Sequence, residues 1–187
     1  LEHDQMRLMY VETKIYQIEQ EQKMSEYDVI MKSVEPFPVA SIREVSPSMQ
    51  EIGLTLNRIF GELMGYIHSS GGRISDKPEH CGITLYHDEE MQETNIHVEA
   101  ALGIVGTLKP SDRVNVYTMP ALETAASVVH RGPFVSLCNA YDAVTHWIDA
   151  NGYEVVGPAR EINLQFDPQG DPNNYVTEIQ FPVRKRA

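Results

Sequence analysis

The hydrophobic positions at the start of the chain have the spacing of an amphipathic helix. Apolar residues recur every seven positions, with a second set three residues further on: Leu1, Leu8 and Ile15, then Val11 and Ile18. A narrow seam of this kind between charged flanks is typical of the a and d positions of a coiled coil. The pattern predicts a dimerisation helix over residues 1–25, and a short helix packed on its own domain is the alternative.

After this helix the hydrophobic pattern changes period and then occurs twice. Each copy reads as a short strand that ends in proline, a helix, and two further alternating strands. The matching strands lie about eighty residues apart: residues 40–47 with 126–133, 81–86 with 161–166, and 98–104 with 177–183. Apolar residues at helical spacing after each proline predict helices over about residues 48–69 and 134–150.

This order of elements predicts an α+β fold. We expect tandem strand-helix-strand-strand repeats that form one antiparallel sheet with two helices on one face, preceded by a long coiled-coil helix. Lead-in strands are expected near residues 27–34 and 114–119. The repeats together predict one domain over residues 26–187, with repeat one at about 26–110 and repeat two at about 111–187.

The charge of the chain narrows the range of its partners. Its net charge is −12, and affinity for nucleic acid comes chiefly from cations that neutralise phosphates. We therefore expect DNA binding only through a further N-terminal domain, since Leu1 already reads as the middle of a helix. The chain has no apolar run of about 18 residues and only two cysteines, Cys81 and Cys138, which favours a cytoplasmic protein without a membrane span.

The sequence offers little to a cofactor or a metal. It contains no Gly-rich phosphate loop, no serine elbow and no Cys-x-x-Cys pair. His80, Cys81, His87 and His97 lie within one predicted hairpin, but their spacing matches no familiar zinc ligand set. We expect no metal, no cofactor and no catalytic cysteine.

Two glutamates in the last predicted strands are the better candidates for a binding site. Strand alternation, with Ile162 and Leu164 facing the helices, predicts that Glu161 and Glu178 share the opposite face. Carboxylates among aromatic rings suit an organic cation. Candidate aromatic walls are Tyr175, Phe60, Tyr66, Tyr117, Tyr141 and Trp147. The alternative is that the glutamates are solvated and that Trp147 belongs to the core.

The chain resembles the effector-binding domain of MerR-type and AraC-type regulators, which has the gyrase-inhibitor-like fold. The resemblance covers about residues 27–185 and is carried by Gly132-Pro133-Phe134, Trp147-Ile148, Gly152-Tyr153, Gly157-Pro158-Ala159-Arg160-Glu161 and residues 177–183. The helix that ends near residue 25 is similar to the dimer helix of MerR-family regulators.

The resemblance implies a ligand pocket in the cleft between the two repeats. In multidrug-sensing members the glutamate after the Gly-Pro turn pairs with cationic drugs, and it corresponds to Glu161 here. The other ligand-binding residues that we expect are Tyr175, Phe60, Cys81, Tyr141, Glu178, Asn163 and Leu137. Asn163 departs from the family, which often has tyrosine there, and the departure points to a more polar ligand.

These observations lead to three functional hypotheses. The first is a ligand-sensing domain of a bacterial transcription regulator that binds a hydrophobic, cationic small molecule and dimerises through its N-terminal helix. The second is a small-molecule hydrolase of the same fold with Glu161 as general base. The third is a topoisomerase inhibitor whose acidic surface imitates DNA.

Overall fold

The computed structural model describes residues 9, 11–19, 22, 26–88 and 92–187. Residues 11–19 are helical, and Val11, Ile15 and Ile18 are each at least 50% exposed. No described part of the domain therefore covers this apolar edge. Leu1 and Leu8 lie outside the described residues, so the coiled coil and the dimer stay predictions. Within the described ranges no helix is long and apolar enough to cross a membrane.

Besides the helical residues 11–19, the described part of the chain contains ten strands and two α-helices. In the first half these are β1 (Ile30–Val34), β2 (Phe37–Ser48), α1 (Ile52–Ser69), β3 (Arg73–Ile74), β4 (Ile83–Tyr86) and β5 (Thr94–Val105). In the second half they are β6 (Asn115–Met119), β7 (Leu122–Arg131), α2 (Leu137–Ala150), β8 (Tyr153–Val155), β9 (Arg160–Gln165) and β10 (Val176–Lys185). Short 3-10 turns at Pro78–His80, Phe134–Ser136 and Pro172–Asn174 precede β4, α2 and β10.

One antiparallel sheet runs through both repeats. Its strand order is β1-β7-β10-β9-β4-β5-β2-β6, with β3 beside β5 and β8 beside β10. Each lead-in strand pairs with the other repeat, because β1 lies beside β7 and β6 lies beside β2. The central seam joins β4 to β9, where Ile83 is opposite Ile162. The predicted duplicated α+β fold is confirmed, and the exchanged lead-in strands bind the repeats together.

The two helices pack chiefly on the outer strands of one face. Helix α1 packs on β2 and β5, and α2 packs on β7, β8 and β10. In α1 the buried residues Thr55, Ile59, Leu63 and Ile67 form one stripe at a spacing of four. The central strands β4 and β9 therefore lie between the two helices on this face, and this region is the predicted cleft between the repeats.

The central strands of the two repeats, β4 and β9, have equivalent positions that differ from the predicted alignment. Thr84 is opposite Ala100, and Glu161 is opposite Ile179. Because the predicted match of residues 98–104 with 177–183 equates Ala100 with Ile179, Thr84 is the counterpart of Glu161. The predicted match of residues 81–86 with 161–166 was therefore out by an odd number of residues. An odd slip in a strand exchanges the two faces.

The prediction that Ile162 faces the helices was wrong. Ile162 is 2% exposed and packs with Ile83 and Leu85 on the face away from the helices, where Leu164 also lies. Glu161 consequently points into the cleft on the helix side, and only Glu178 lies on the far face as predicted. The physical reason is that both faces of the sheet are apolar at its centre, so alternation could not tell one face from the other.

Replacement of Ile83 by alanine tests the seam between the repeats. Ile83 is fully buried opposite Ile162, so Ile83→Ala leaves a cavity between β4 and β9. We expect a loss of about 3 kcal/mol in the free energy of unfolding, measured by urea denaturation. The control Val135→Ala, at a side chain that is 85% exposed, should stay within about 0.5 kcal/mol of wild type. Equal losses in the two variants would contradict the seam's role.

Candidate functional site

The floor of the cleft between α1 and α2 holds a carboxylate between two tyrosines. The Tyr141 hydroxyl donates to Glu161 Oε1 at 2.6 Å, and the Tyr86 hydroxyl donates to Oε2 over a longer 3.5 Å. All three side chains are half-buried. Glu161 comes from β9, Tyr86 from β4 and Tyr141 from α2, so each repeat supplies part of the site.

The cleft leaves Glu161 without a positive partner. Among the described residues no lysine, arginine or histidine forms an ion pair with it. Burial raises the pKa of Glu161 to about 7, although the hydrogen bonds from Tyr141 and Tyr86 act in the opposite direction. Burial and the facing carboxylate also raise the pKa values of Tyr141 and Tyr86, which keeps both hydroxyls protonated as donors. Glu161 is therefore a carboxyl group that a bound cation would drive to its charged form.

Asn163 lies on the same face of β9 as Glu161 and is held by backbone contacts. Its N–H donates to the Gly82 carbonyl at 3.1 Å, and its side-chain oxygen accepts from Thr177 Oγ1 at 3.5 Å. Gly82 has φ +59°, and a Cβ there would lie 3.1 Å from Asn163 Cβ. Tyr86 is opposite Val98 and Asn163 is opposite Thr177, so Tyr86 is the counterpart of Asn163 in repeat one. Repeat two has Asn163 where the family often has tyrosine, and repeat one has a tyrosine, Tyr86, at the equivalent position.

Other predicted site residues lie away from Glu161. Tyr175 is 9% exposed and stands against Phe166 and Phe134, with ring centroids 4.9 and 5.2 Å away. Strand β9 ends at Gln165, which lies roughly 13 Å along the strand from Glu161. Gln165 pairs with Val176, the residue that follows Tyr175. These three rings therefore form a separate aromatic cluster at one end of the cleft.

Leu137, Phe60 and Cys81 have packing roles in the structure. Leu137 is buried in the core beneath α2, and Phe60 packs against the core beneath α1. The Cys81 thiol donates to the Ser75 carbonyl at 3.1 Å, and burial raises its pKa. A protonated thiol of this kind is a weak nucleophile.

Glu178 and its counterpart Glu99 are buried on the far face of the sheet. Glu178 Oε1 accepts from Lys32 Nζ and from Ser127 Oγ, each at 2.5 Å. Glu99 is contacted by His87 Nε2 at 2.7 Å, Tyr117 at 2.9 Å and Arg43 at 3.0 Å. Burial opposes ionisation of Glu99, but the hydrogen bonds from His87 and its neighbours outweigh it and lower the pKa to about 2. Both carboxylates thus already have partners, in contrast to Glu161.

Comparison with known proteins identifies the family. Residues 27–184 match the family described as the GyrI-like small molecule binding domain. The chain belongs to this family. The resemblance predicted over about residues 27–185 is thereby confirmed. A comparison with curated proteins finds no significant match.

Solved structures of the regulator EcmrR share this GyrI-like domain. The EcmrR C-terminal domain is 32% identical, with a TM-score of 0.74 over 86% of this chain and 99% of that one. The EcmrR–DNA complex is 28% identical, with a TM-score of 0.75 over 96% of this chain and 70% of that one. EcmrR is a MerR-family regulator, as the sequence predicted for the parent family. SAV2435 bound to tetraphenylphosphonium, 17% identical with a TM-score of 0.58 over 84% of this chain and 94% of that one, shares the fold.

Sequence reasoning missed three residues of the GyrI-like domain that the structure makes prominent. Tyr86 was hidden by the slipped match of the central strands. Glu99 was detectable, because the predicted match of residues 98–104 with 177–183 places it opposite Glu178 in the alignment. Arg160 lies inside the Gly-Pro motif beside Glu161, and only the structure shows that it is buried.

The variant Glu161→Gln tests the raised pKa of the cleft carboxyl. A protein in which a carboxyl group has a higher pKa in the folded than in the unfolded state loses stability as the pH rises from about 4.5 to 7. We expect wild type and variant to be equally stable at pH 4, and the variant to be more stable by about 3 kcal/mol at pH 8. Urea denaturation across this pH range measures both. Parallel stability curves for the two proteins would show that Glu161 ionises normally.

Proposed function

We propose that this GyrI-like domain is the ligand-sensing part of a transcription regulator and binds a hydrophobic organic cation in the cleft between its repeats. Glu161 supplies the countercharge, and Tyr141 and Tyr86 orient it. The observation that carries the proposal is the recessed carboxyl group with two hydroxyl donors and no cationic partner among the described residues.

Physical chemistry favours a cation over other ligands at this position. A carboxylate removed from water is unfavourable unless a positive group compensates it. Tyrosine faces add contact area and attract cations through the ring quadrupole. A neutral ligand would form only a hydrogen bond with the protonated carboxyl group of Glu161. A cation would in addition offset the free-energy cost of ionising this carboxyl group. The cleft therefore discriminates by charge.

The similarity to EcmrR in its DNA complex supports a role in transcription. With a net charge of −12, the chain itself is poorly suited to bind phosphates. We propose that DNA is bound by another part of the regulator, and that the helical residues 11–19 belong to the dimer contact that connects the two parts.

A chain of contacts connects the cleft to the start of the domain. The Tyr27 hydroxyl lies 2.8 Å from Nδ1 of buried His130, whose Nε2 lies 3.2 Å from Ser136 Oγ. Ser136 immediately precedes α2, which carries Tyr141. A ligand that moves Tyr141 would therefore act on Tyr27, next to the N-terminal helix. The ligand shifts the regulator only as far as it prefers one arrangement of α2 over another.

Titration with tetraphenylphosphonium tests the cleft, because a protein of the same fold has been solved with this cation. In calorimetry we expect Glu161→Gln to weaken binding at least about tenfold, since a charge-assisted contact is lost. Wild-type affinity should rise between pH 6 and 8 as Glu161 ionises, and the variant's affinity should not.

The matched control is Glu178→Gln. Glu178 precedes Ile179, which pairs with Glu161, so the Glu178 side chain lies on the opposite face of the sheet. Lys32 already neutralises its charge. This variant should bind tetraphenylphosphonium like wild type. Equal affinity in wild type and Glu161→Gln would remove Glu161 from the site.

Hydrolysis of an electrophilic small molecule is the second candidate function. It is favoured by the pKa of about 7 at Glu161, which is the range of an efficient general base. The hydroxyls of Tyr141 and Tyr86 could stabilise developing negative charge. Turnover that disappears in Glu161→Gln would support the enzyme, whereas cation binding without turnover would support the sensor alone.

A further inference from the structure

A groove of about 1040 Å³ lies on the far face of the sheet, away from the cleft. Residues from both repeats line it, including Arg43 and Leu85 from the first half and Arg160 and Lys185 from the second. Of its formally charged lining residues, Arg43, Arg160, Arg184 and Lys185 are cationic and Glu99 and Glu123 are acidic. A chain with a net charge of −12 thus has one groove in which cations predominate.

Arg160 is the most unusual residue of this groove. It is 5% exposed, and its Nη2 donates to the Pro120 carbonyl at 2.7 Å. Its buried Nη1 has no hydrogen-bond acceptor among the residues that the structure describes. In the described part of the chain no carboxylate forms an ion pair with this guanidinium, and burial lowers its pKa. Arg160 is therefore a buried cation without an anion.

The neighbouring residues do not compensate this charge. Gln180 pairs with Arg160 across the strands, and its buried Oε1 also has no hydrogen-bond partner within the described ranges. A rotation of Gln180 could satisfy one N–H of Arg160, but an amide is neutral and leaves the positive charge uncompensated. Glu99 is occupied by Arg43, His87 and Tyr117. No described residue therefore supplies an anion to Arg160, and an anion that paired with it would come from a ligand.

The walls of the groove define the rest of such a ligand. Leu85, Met119, Val156, Pro158 and Pro182 give the groove an apolar surface beside Arg160. A guanidinium binds a carboxylate through two parallel hydrogen bonds, and an apolar wall favours a hydrocarbon body. We propose that this groove is a second ligand site, which binds an amphipathic organic carboxylate through Arg160.

Adjacent residues of β9 thereby serve two sites of opposite charge preference. Arg160 faces the groove and Glu161 faces the cleft, because successive residues of a strand point to opposite faces. The two sites are independent in composition, so the second does not rest on the first.

Calorimetric titration with decanoate tests the proposal, with decanol as the uncharged comparison. We expect wild type to bind decanoate more tightly than decanol, and Arg160→Met to lose at least about tenfold in decanoate affinity. Arg184→Met removes a groove cation that is already paired with Glu154 and should change affinity less than threefold or so. Glu161→Gln should leave decanoate binding unchanged.

Thermal unfolding of Arg160→Met separates ligand binding from a structural role. Removal of an uncompensated buried charge should leave the melting temperature unchanged or raise it, whereas loss of a structural arginine would lower it. If Arg160→Met does not fold, Arg160→Lys keeps the charge without the planar fork and should still weaken decanoate binding.

Three results would overturn the proposal. The first is equal binding of decanoate and decanol by wild type. The second is unchanged decanoate affinity in a folded Arg160 variant. The third is loss of decanoate binding in Glu161→Gln but not in the Arg160 variants, which would place the carboxylate in the cleft.

Discussion

The alternation of side chains along β9 is the constraint on which the rest of this structure depends. Three consecutive residues, Arg160, Glu161 and Ile162, point to the far face, the cleft and the far face again. Ile162 fixes this choice, because it packs with Ile83 in the core at the centre of the far face. A one-residue slip would bury Glu161 in that core and expose Ile162 to the cleft.

The sheet keeps this register because neither repeat is a separate unit. Strands β1 and β6 each complete the other repeat, and β4 and β9 join the repeats at the centre. The cleft follows from the same arrangement, since each helix covers the outer strands of its own repeat. Duplication places the site at the seam, and divergence of the copies makes it asymmetric. Glu161 stands where repeat one has Thr84, and Tyr86 stands where repeat two has Asn163.

The buried charges of the molecule fall into two classes. Glu99 and Glu178 each have a cationic donor within hydrogen-bond distance, Arg43 and Lys32 respectively, so their charges are compensated inside the fold. Glu161 and Arg160 have no partner of opposite charge in the described part of the chain. Buried charge without compensation lowers stability, and groups of this kind are frequent at binding sites. Both uncompensated groups stand beside the seam between the repeats.

Much of this architecture was determined by the sequence itself. The change of hydrophobic period, the prolines before each helix and the duplicated strand pattern predicted the sheet and both helices. The Gly-Pro motif that carries the family resemblance singles out Glu161. Period-two alternation establishes that Glu161 and Ile162 point to opposite faces of the sheet, but it does not establish which of them faces the helices. Only the tertiary structure decided which face the helices cover, because both rows of side chains are apolar enough to be buried. Only the pairing of β4 with β9 brought Tyr86 to Glu161, since that contact joins residues far apart in the chain, and no local pattern records it.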